Sequence, residues 1–258
     1  MKKSILTLRN KIIATLLAVL IISLLSTCTG TKKNQQVEMM PEIITTSLHT
    51  TGPQIELNFK KGKYHNHPLM AIWIETMDGQ YITTLYVAKS IAKGVFEHGD
   101  KSRNYWQPGE IRRPAALPYW SHKRGVVEAD GLYIPTAKTP MPDAVTSATP
   151  KADFVLISQT GELPSSKFRL LMEINQTWDW NEYWTNNKYP DDENYKTSCQ
   201  PSLIYAADID LDNLQALYEL KPIGHGHYSG QNGELYPDLS TLTTALHIAE
   251  KVTAVVKK

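Results

Sequence analysis

Gly224-His225-Gly226-His227 places two imidazoles two residues apart. In an extended strand such a pair lies on one face, where it could ligate a single ion. His65-Asn66-His67 repeats the spacing. No Cys, Asp or Glu stands with either pair at a recognised metal spacing, and the glycines suit a turn equally well. His225 and His227 are thus the metal-ligand candidates, but the expectation is hydrogen-bonded histidines and no resident metal. Asp208-Ile209-Asp210-Leu211-Asp212-Asn213 alternates carboxylates as a calcium loop does, yet lacks the glycine and distal glutamate such a loop needs, so a turn is expected. Trp178-Asp179-Trp180-Asn181-Glu182-Tyr183-Trp184 concentrates aromatic rings in a loop. Exposed, Trp178, Trp180 and Trp184 would form a stacking platform for a flat ligand; folded back they would cap a core, which is the expectation. Cys199 has no local base and is expected as a buried small hydrophobe. No nucleophile elbow, phosphate loop, Cys-x-x-Cys or dinucleotide fingerprint is present, so no catalytic residue is assigned and the chain does not read as an enzyme.

The elements that would position these groups are strands. Ile55, Leu57 and Phe59 alternate with Glu56 and Asn58, the pattern of a half-buried strand. Leu69 to Glu75 and Tyr81 to Val87 flank Asp78-Gly79, the strongest local hairpin signal. Further strands are expected at Phe154–Ile157, Phe168–Ile174, Ser202–Ile209, Ala216–Leu220 and Thr253–Val256, with a short helix between Thr243 and Lys251. Residues 98–142 and 176–200 hold most of the Trp, are rich in Pro and Asn, and read as long loops, where function is to be sought. Many short strands separated by turn residues indicate a β-sandwich.

The first residues read as an export signal. Lys2, Lys3, Arg9 and Lys11 precede an apolar run from Ile12 to Ile22, too short to span a bilayer. Leu25-Ser26-Thr27-Cys28 resembles the lipobox of bacterial lipoproteins, which implies removal of residues 1–27 and lipidation of Cys28. Several acyl chains would hold the protein at a membrane, each buried CH₂ contributing about 0.8 kcal/mol. Residues 28–52 then form the anchor and a polar tether, and 53–258 one domain. Thr29 after Cys28, with no acidic residue close behind, favours an outer-membrane position facing the periplasm. Without residues 1–27 the chain keeps 23 of its 27 basic residues against 26 acidic ones. Such a slightly acidic domain has no electrostatic footprint for nucleic acid.

Two larger resemblances follow. Ala71 to Glu75 with Asp78-Gly79 and Thr84-Leu85, Leu117 to Trp120, Asp143 to Pro150, Leu171 to Asn175, and Gly224 to His227 with Leu242 to Ala245 together resemble the family of predicted periplasmic proteins known as domain of unknown function 2271. The resemblance covers residues 53–257. It implies an immunoglobulin-like antiparallel β-sandwich with one or two short helices, in the company of flavin-transfer and membrane redox proteins. Asp143-Ala144-Val145-Thr146-Ser147-Ala148-Thr149 is also similar to the acceptor motif of covalently flavinylated proteins. That likeness implies FMN bound through a phosphoester to Thr149, with Asp143 and Thr146 as motif residues. The alternative is structural: Asp143 begins a turn and Thr149-Pro150 enters a strand.

The expectation carried forward is a non-enzymatic, membrane-anchored extracytoplasmic lipoprotein, a binding or interaction component of a redox or flavin-linked envelope system. A covalent FMN carrier and a ligand-binding sandwich using the Trp178–Trp184 loop are the alternatives.

Overall fold

The computed structural model describes residues 40–258, so Cys28 and its lipobox lie outside the described residues. The elements are β1 (Glu42–Thr46), β2 (Gln54–Lys61), β3 (Leu69–Glu75), β4 (Tyr81–Ala88), α1 (Lys89–Lys93), β5 (Val95–Asp100), β6 (Gln107–Glu110) and α2 (Pro118–Arg124). They continue with β7 (Thr146–Ser147), β8 (Phe154–Gln159), β9 (Lys167–Asn175), α3 (Glu193–Ser198), β10 (Leu203–Asp210), β11 (Tyr218–Glu219), β12 (Lys221–His225) and β13 (Ala249–Lys257). The fold is an all-β sandwich. A five-stranded sheet in the order β1-β8-β2-β13-β11 faces a six-stranded sheet in the order β12-β10-β9-β3-β4-β7, and β5 and β6 form a separate hairpin.

The expected strands form for the expected reasons. In β2, Ile55, Leu57 and Phe59 point into the core while the residues between them stay half-exposed. Gly79, at a φ of +85°, closes the β3–β4 hairpin where Asp-Gly signals it. Against this, β3 is buried at all seven positions. Met70, Ile72 and Ile74 enter the core between the sheets. Leu69, Ala71 and Trp73 enter a second core on the outer face of the larger sheet, with Val87, Ile91, Trp120 and Ile134. A strand covered on both faces loses the alternation of a half-exposed one.

Five expectations need correction. The tether ends before residue 52: β1 pairs with β8 over five residues and buries Ile44, so the domain begins near residue 42. The sheets are mixed rather than antiparallel throughout, because β1–β8 and β4–β7 run parallel. Short helices number three among the described residues. The helix expected between Thr243 and Lys251 is one 3₁₀ turn, Ala245–His247, because the chain enters β13 at Ala249. Finally, the stretch 98–142 contains β6 and α2 and covers the second core. Arg112 and Arg124 hold it by donating to the carbonyls of Ile134 (2.7 Å) and Tyr133 (2.8 Å).

What fixes α2 to the sheet is a carboxylate. Pro118 is the first helical residue and needs no N–H partner, but Leu117 has no side chain able to cap the next two. Glu173, fully buried on β9, accepts from the backbone N–H of Trp120 (2.7 Å) and Tyr119 (3.2 Å) and from the hydroxyl of Ser202. A long-range side chain thus replaces the local cap, an interaction of about 1 kcal/mol in ordinary helices. Trp120 is held further by its indole N–H on Thr84 Oγ1 (3.0 Å), and Trp73 donates to the buried Glu75 (2.8 Å). Burial pushes the Glu173 carboxyl up to about 7, against the lowering effect of its three donors.

The folded protein therefore binds this proton more tightly than the unfolded chain. The stability it contributes is full below pH 4.5 and is lost as pH rises through about 7. Thermal unfolding of Glu173→Gln followed by circular dichroism should show a lower midpoint at pH 5, since the amide NH₂ must oppose one of the two backbone N–H donors, which meet different oxygens of Glu173. Its stability should also fall less steeply than wild type between pH 5 and pH 7, by roughly 1 kcal/mol per pH unit. Identical slopes for the two proteins would refute the assignment.

Candidate functional site

The Gly-His-Gly-His segment is built by its glycines. A Cβ at Gly224 would lie 2.7 Å from Leu235 Cδ1 and from the Tyr236 carbonyl oxygen. One at Gly226 would lie 2.6 Å from Pro118 Cγ and from Ser202 Oγ. One side of the segment is pressed against the start of α2 and the Glu173 cap, and only glycine permits that approach. His225 and His227 turn the other way and line a cleft of about 220 Å³. His225 is also bridged to Tyr236 by two backbone hydrogen bonds of 2.8 and 2.9 Å.

The walls of the cleft are stacked rings. His225 lies on Tyr236 with centroids 5.3 Å apart and planes 16° apart. His227 lies on Tyr228 (4.4 Å, 28°), which lies on Tyr189 (4.2 Å, 9°). Trp184 meets His225 edge-on at 6.4 Å, and Tyr183, Asp238 and Thr241 complete the rim. Both imidazoles are shifted below the ordinary histidine value, chiefly by burial, which favours their neutral forms. Asp238 is shifted below the usual carboxylate value by hydrogen bonds from Ser240, and it brings a negative charge to the rim.

Asn181 brings the loop to this place. Its carbonyl oxygen accepts from the N–H of Tyr183 (2.9 Å) and Trp184 (2.7 Å), while its amide donates to Thr241 O (2.7 Å) and Thr243 Oγ1 (2.9 Å). Trp184 folds back into the core as expected, 6% exposed, with its indole N–H on Thr241 Oγ1 (3.0 Å). The other two tryptophans do not join it. Trp178 and Trp180 are 63% and 57% exposed and do not line the cleft, so the three-tryptophan platform is not assembled. Tyr228, Tyr236, Asp238 and Thr241 were not singled out in the sequence. Only the position of Tyr228 directly after the histidines hinted at a role.

The remaining candidates lie elsewhere. Among the described residues no group of three or more His, Cys, Asp or Glu is arranged to hold a metal ion. His65 packs against Phe59 while His67 is exposed at a φ of +51°. Asp208 pairs with Arg169 (2.7 Å), and Asp210 accepts from Asp212 N–H (3.0 Å) to open a 3₁₀ turn. Cys199 is buried, and burial pushes its thiol up to about 11. Asp143 opens a 3₁₀ turn and pairs with Lys93 (2.8 Å), while Thr146 sits in β7 with its hydroxyl on Asp143 O (3.3 Å). Thr149 is half-buried ahead of Pro150, and the following strand starts only at Phe154. The aromatic cleft does not reach Thr149. Neither does a second cleft of about 270 Å³ at the smaller sheet, lined by residues of β2, β8 and β13 that include Lys60 and Lys251.

Compared with protein-family models, curated proteins and solved structures, the chain gives no match in any of the three.

Asn181→Ala removes four hydrogen bonds, two within its own loop and two to Thr241 and Thr243. Each contributes about 1 kcal/mol or less in net terms, so the variant should fold but lose roughly 1–3 kcal/mol. Hydrogen–deuterium exchange should accelerate at Tyr183 and Trp184 and stay unchanged in β3, β9 and β10. Unaltered exchange at those two amides would show that Asn181 is not what holds Trp184 in place.

Proposed function

We propose that this protein is a non-enzymatic binding component of a bacterial cell envelope, held to a membrane by lipid on Cys28. In this reading it captures a small, neutral, ring-shaped ligand in the cleft between Trp184 and the His225–His227 segment. The observation that carries it is the cleft itself: stacked aromatic faces, two histidines shifted toward neutrality and a loop fixed by Asn181. Ring faces favour flat or ring-shaped partners, and a few convergent polar groups supply orientation. The volume, about 220 Å³, suits a single ring rather than a haem or an extended glycan. The envelope setting, the immunoglobulin-type arrangement and flavin-linked partners rest on the lipobox and family resemblances described above.

Titration of the purified protein with single-ring solutes (nicotinamide, uracil, glucose) should change tryptophan emission through Trp184. The change should disappear in Tyr236→Ala, which removes one wall. Emission that no ring compound alters would end this reading.

A covalent FMN on Thr149 is the second reading. It is favoured by a hydroxyl that has no hydrogen-bond partner among the described residues and stands two residues beyond the short edge strand β7. The intact mass after production together with a flavin transferase should then show one FMN, absent from Thr149→Ala. An unmodified mass, or an adduct that survives in the variant, excludes it.

A further inference from the structure

The two histidines of the cleft differ in what their hydrogen-bonding neighbours require of them. His225 Nδ1 lies 2.7 Å from the carbonyl oxygen of Gly226. A carbonyl only accepts, so Nδ1 carries the hydrogen and the Nε2 of the neutral ring is left with a lone pair. His227 Nδ1 lies 3.2 Å from the backbone N–H of Ser229. That group only donates, so Nδ1 holds the lone pair and Nε2 carries the hydrogen. Neither Nε2 has a partner among the described residues, and both rings line the cleft. Two imidazoles of the same type thus offer opposite polarity, one an acceptor and one a donor.

The charges around them disfavour an anionic guest. Asp238 faces His225, and Asp192, Glu234 and His122 bear on His227. Lys188 lies over the rings of Tyr183 (3.2 Å) and Trp184 (4.8 Å) and donates to Tyr183 O. No cation lines the cleft to attract an anion, and Asp238 would repel one.

Resting on the cleft reading, we propose that the cleft selects neutral planar rings carrying both a hydrogen-bond donor and an acceptor on their rim, of the cyclic-amide or pyrimidine-base type, with His225 accepting and His227 donating. The flat ring lies between aromatic walls while its rim meets the two Nε2 atoms.

Uracil and 1,3-dimethyluracil have the same ring, but the second lacks both N–H donors. Tryptophan emission titrated at pH 7.5 should show uracil binding about tenfold more tightly, the effect of one lost hydrogen bond in an otherwise matched pair. His225→Phe keeps a ring on Tyr236 without the acceptor and should lose the same factor for uracil while leaving dimethyluracil unmoved, with circular dichroism checking the fold. Acidification through the imidazole range, which makes His225 Nε2 a donor, should weaken uracil alone. Equal affinities for the two uracils, or tighter binding of glucose than of uracil, would overturn the polarity assignment and leave the stacking cleft standing. No emission change with any ring compound would remove the cleft reading and this inference with it.

Discussion

The buried carboxylate of Glu173 is the interaction on which the rest of this structure depends. It is fully removed from water and meets the start of α2 through two backbone N–H groups. Leaving those donors unmet in an apolar layer would cost about 1–3 kcal/mol each. Their satisfaction is what lets a seven-residue helix, too short to persist alone, lie flat on a sheet. With α2 in place, Trp120 seals the second core, and Pro118 sits where it presses on Gly226. The orientation of His225 and His227 follows from that contact. A buried carboxyl group in the sheet thus bears, through α2, on the face that the neighbouring pair of histidines presents.

This coupling explains why the larger sheet carries polar residues at positions that would suit aliphatic ones. Glu75, Glu173 and Asn175 all lie on its covered outer face, and each has named partners: Trp73 for the first, α2 and Ser202 for the second, Gln200 and Ser198 for the third. Buried polar groups are tolerated when satisfied, and they specify one arrangement of the covering chain where an apolar surface would accept several. The layer over this sheet is irregular, and it is positioned by directional bonds more than by regular secondary structure.

The parts of the fold that were legible in the sequence are those governed by local rules. Ile55, Leu57 and Phe59 announce β2 by alternation, and Asp78-Gly79 announces the β3–β4 hairpin by turn chemistry. β1 was missed because it pairs in parallel with a strand more than a hundred residues away, and such pairing leaves no turn signature. α2 was missed because its cap stands at position 173 instead of beside it, so no start signal precedes Pro118. For the site, the histidine spacing was visible, but its cause was not. The glycines look like turn residues until Pro118 and Ser202 are seen against them. Trp184 and its neighbours Trp178 and Trp180 are chemically alike, and the bonds of Trp184 to Asn181 and Thr241 distinguish the one that enters the cleft.

The placement of β1 has a mechanical consequence. β1 runs parallel to β8, β8 antiparallel to β2, and β2 antiparallel to β13, so β1 and the last strand point the same way. Traction applied between residue 42 and the carboxyl end pulls these two strands in opposite directions along their own axes. The inter-strand bonds of the smaller sheet are then loaded together in shear instead of being unzipped in succession, a geometry that resists extension well beyond what the same number of bonds would withstand one at a time.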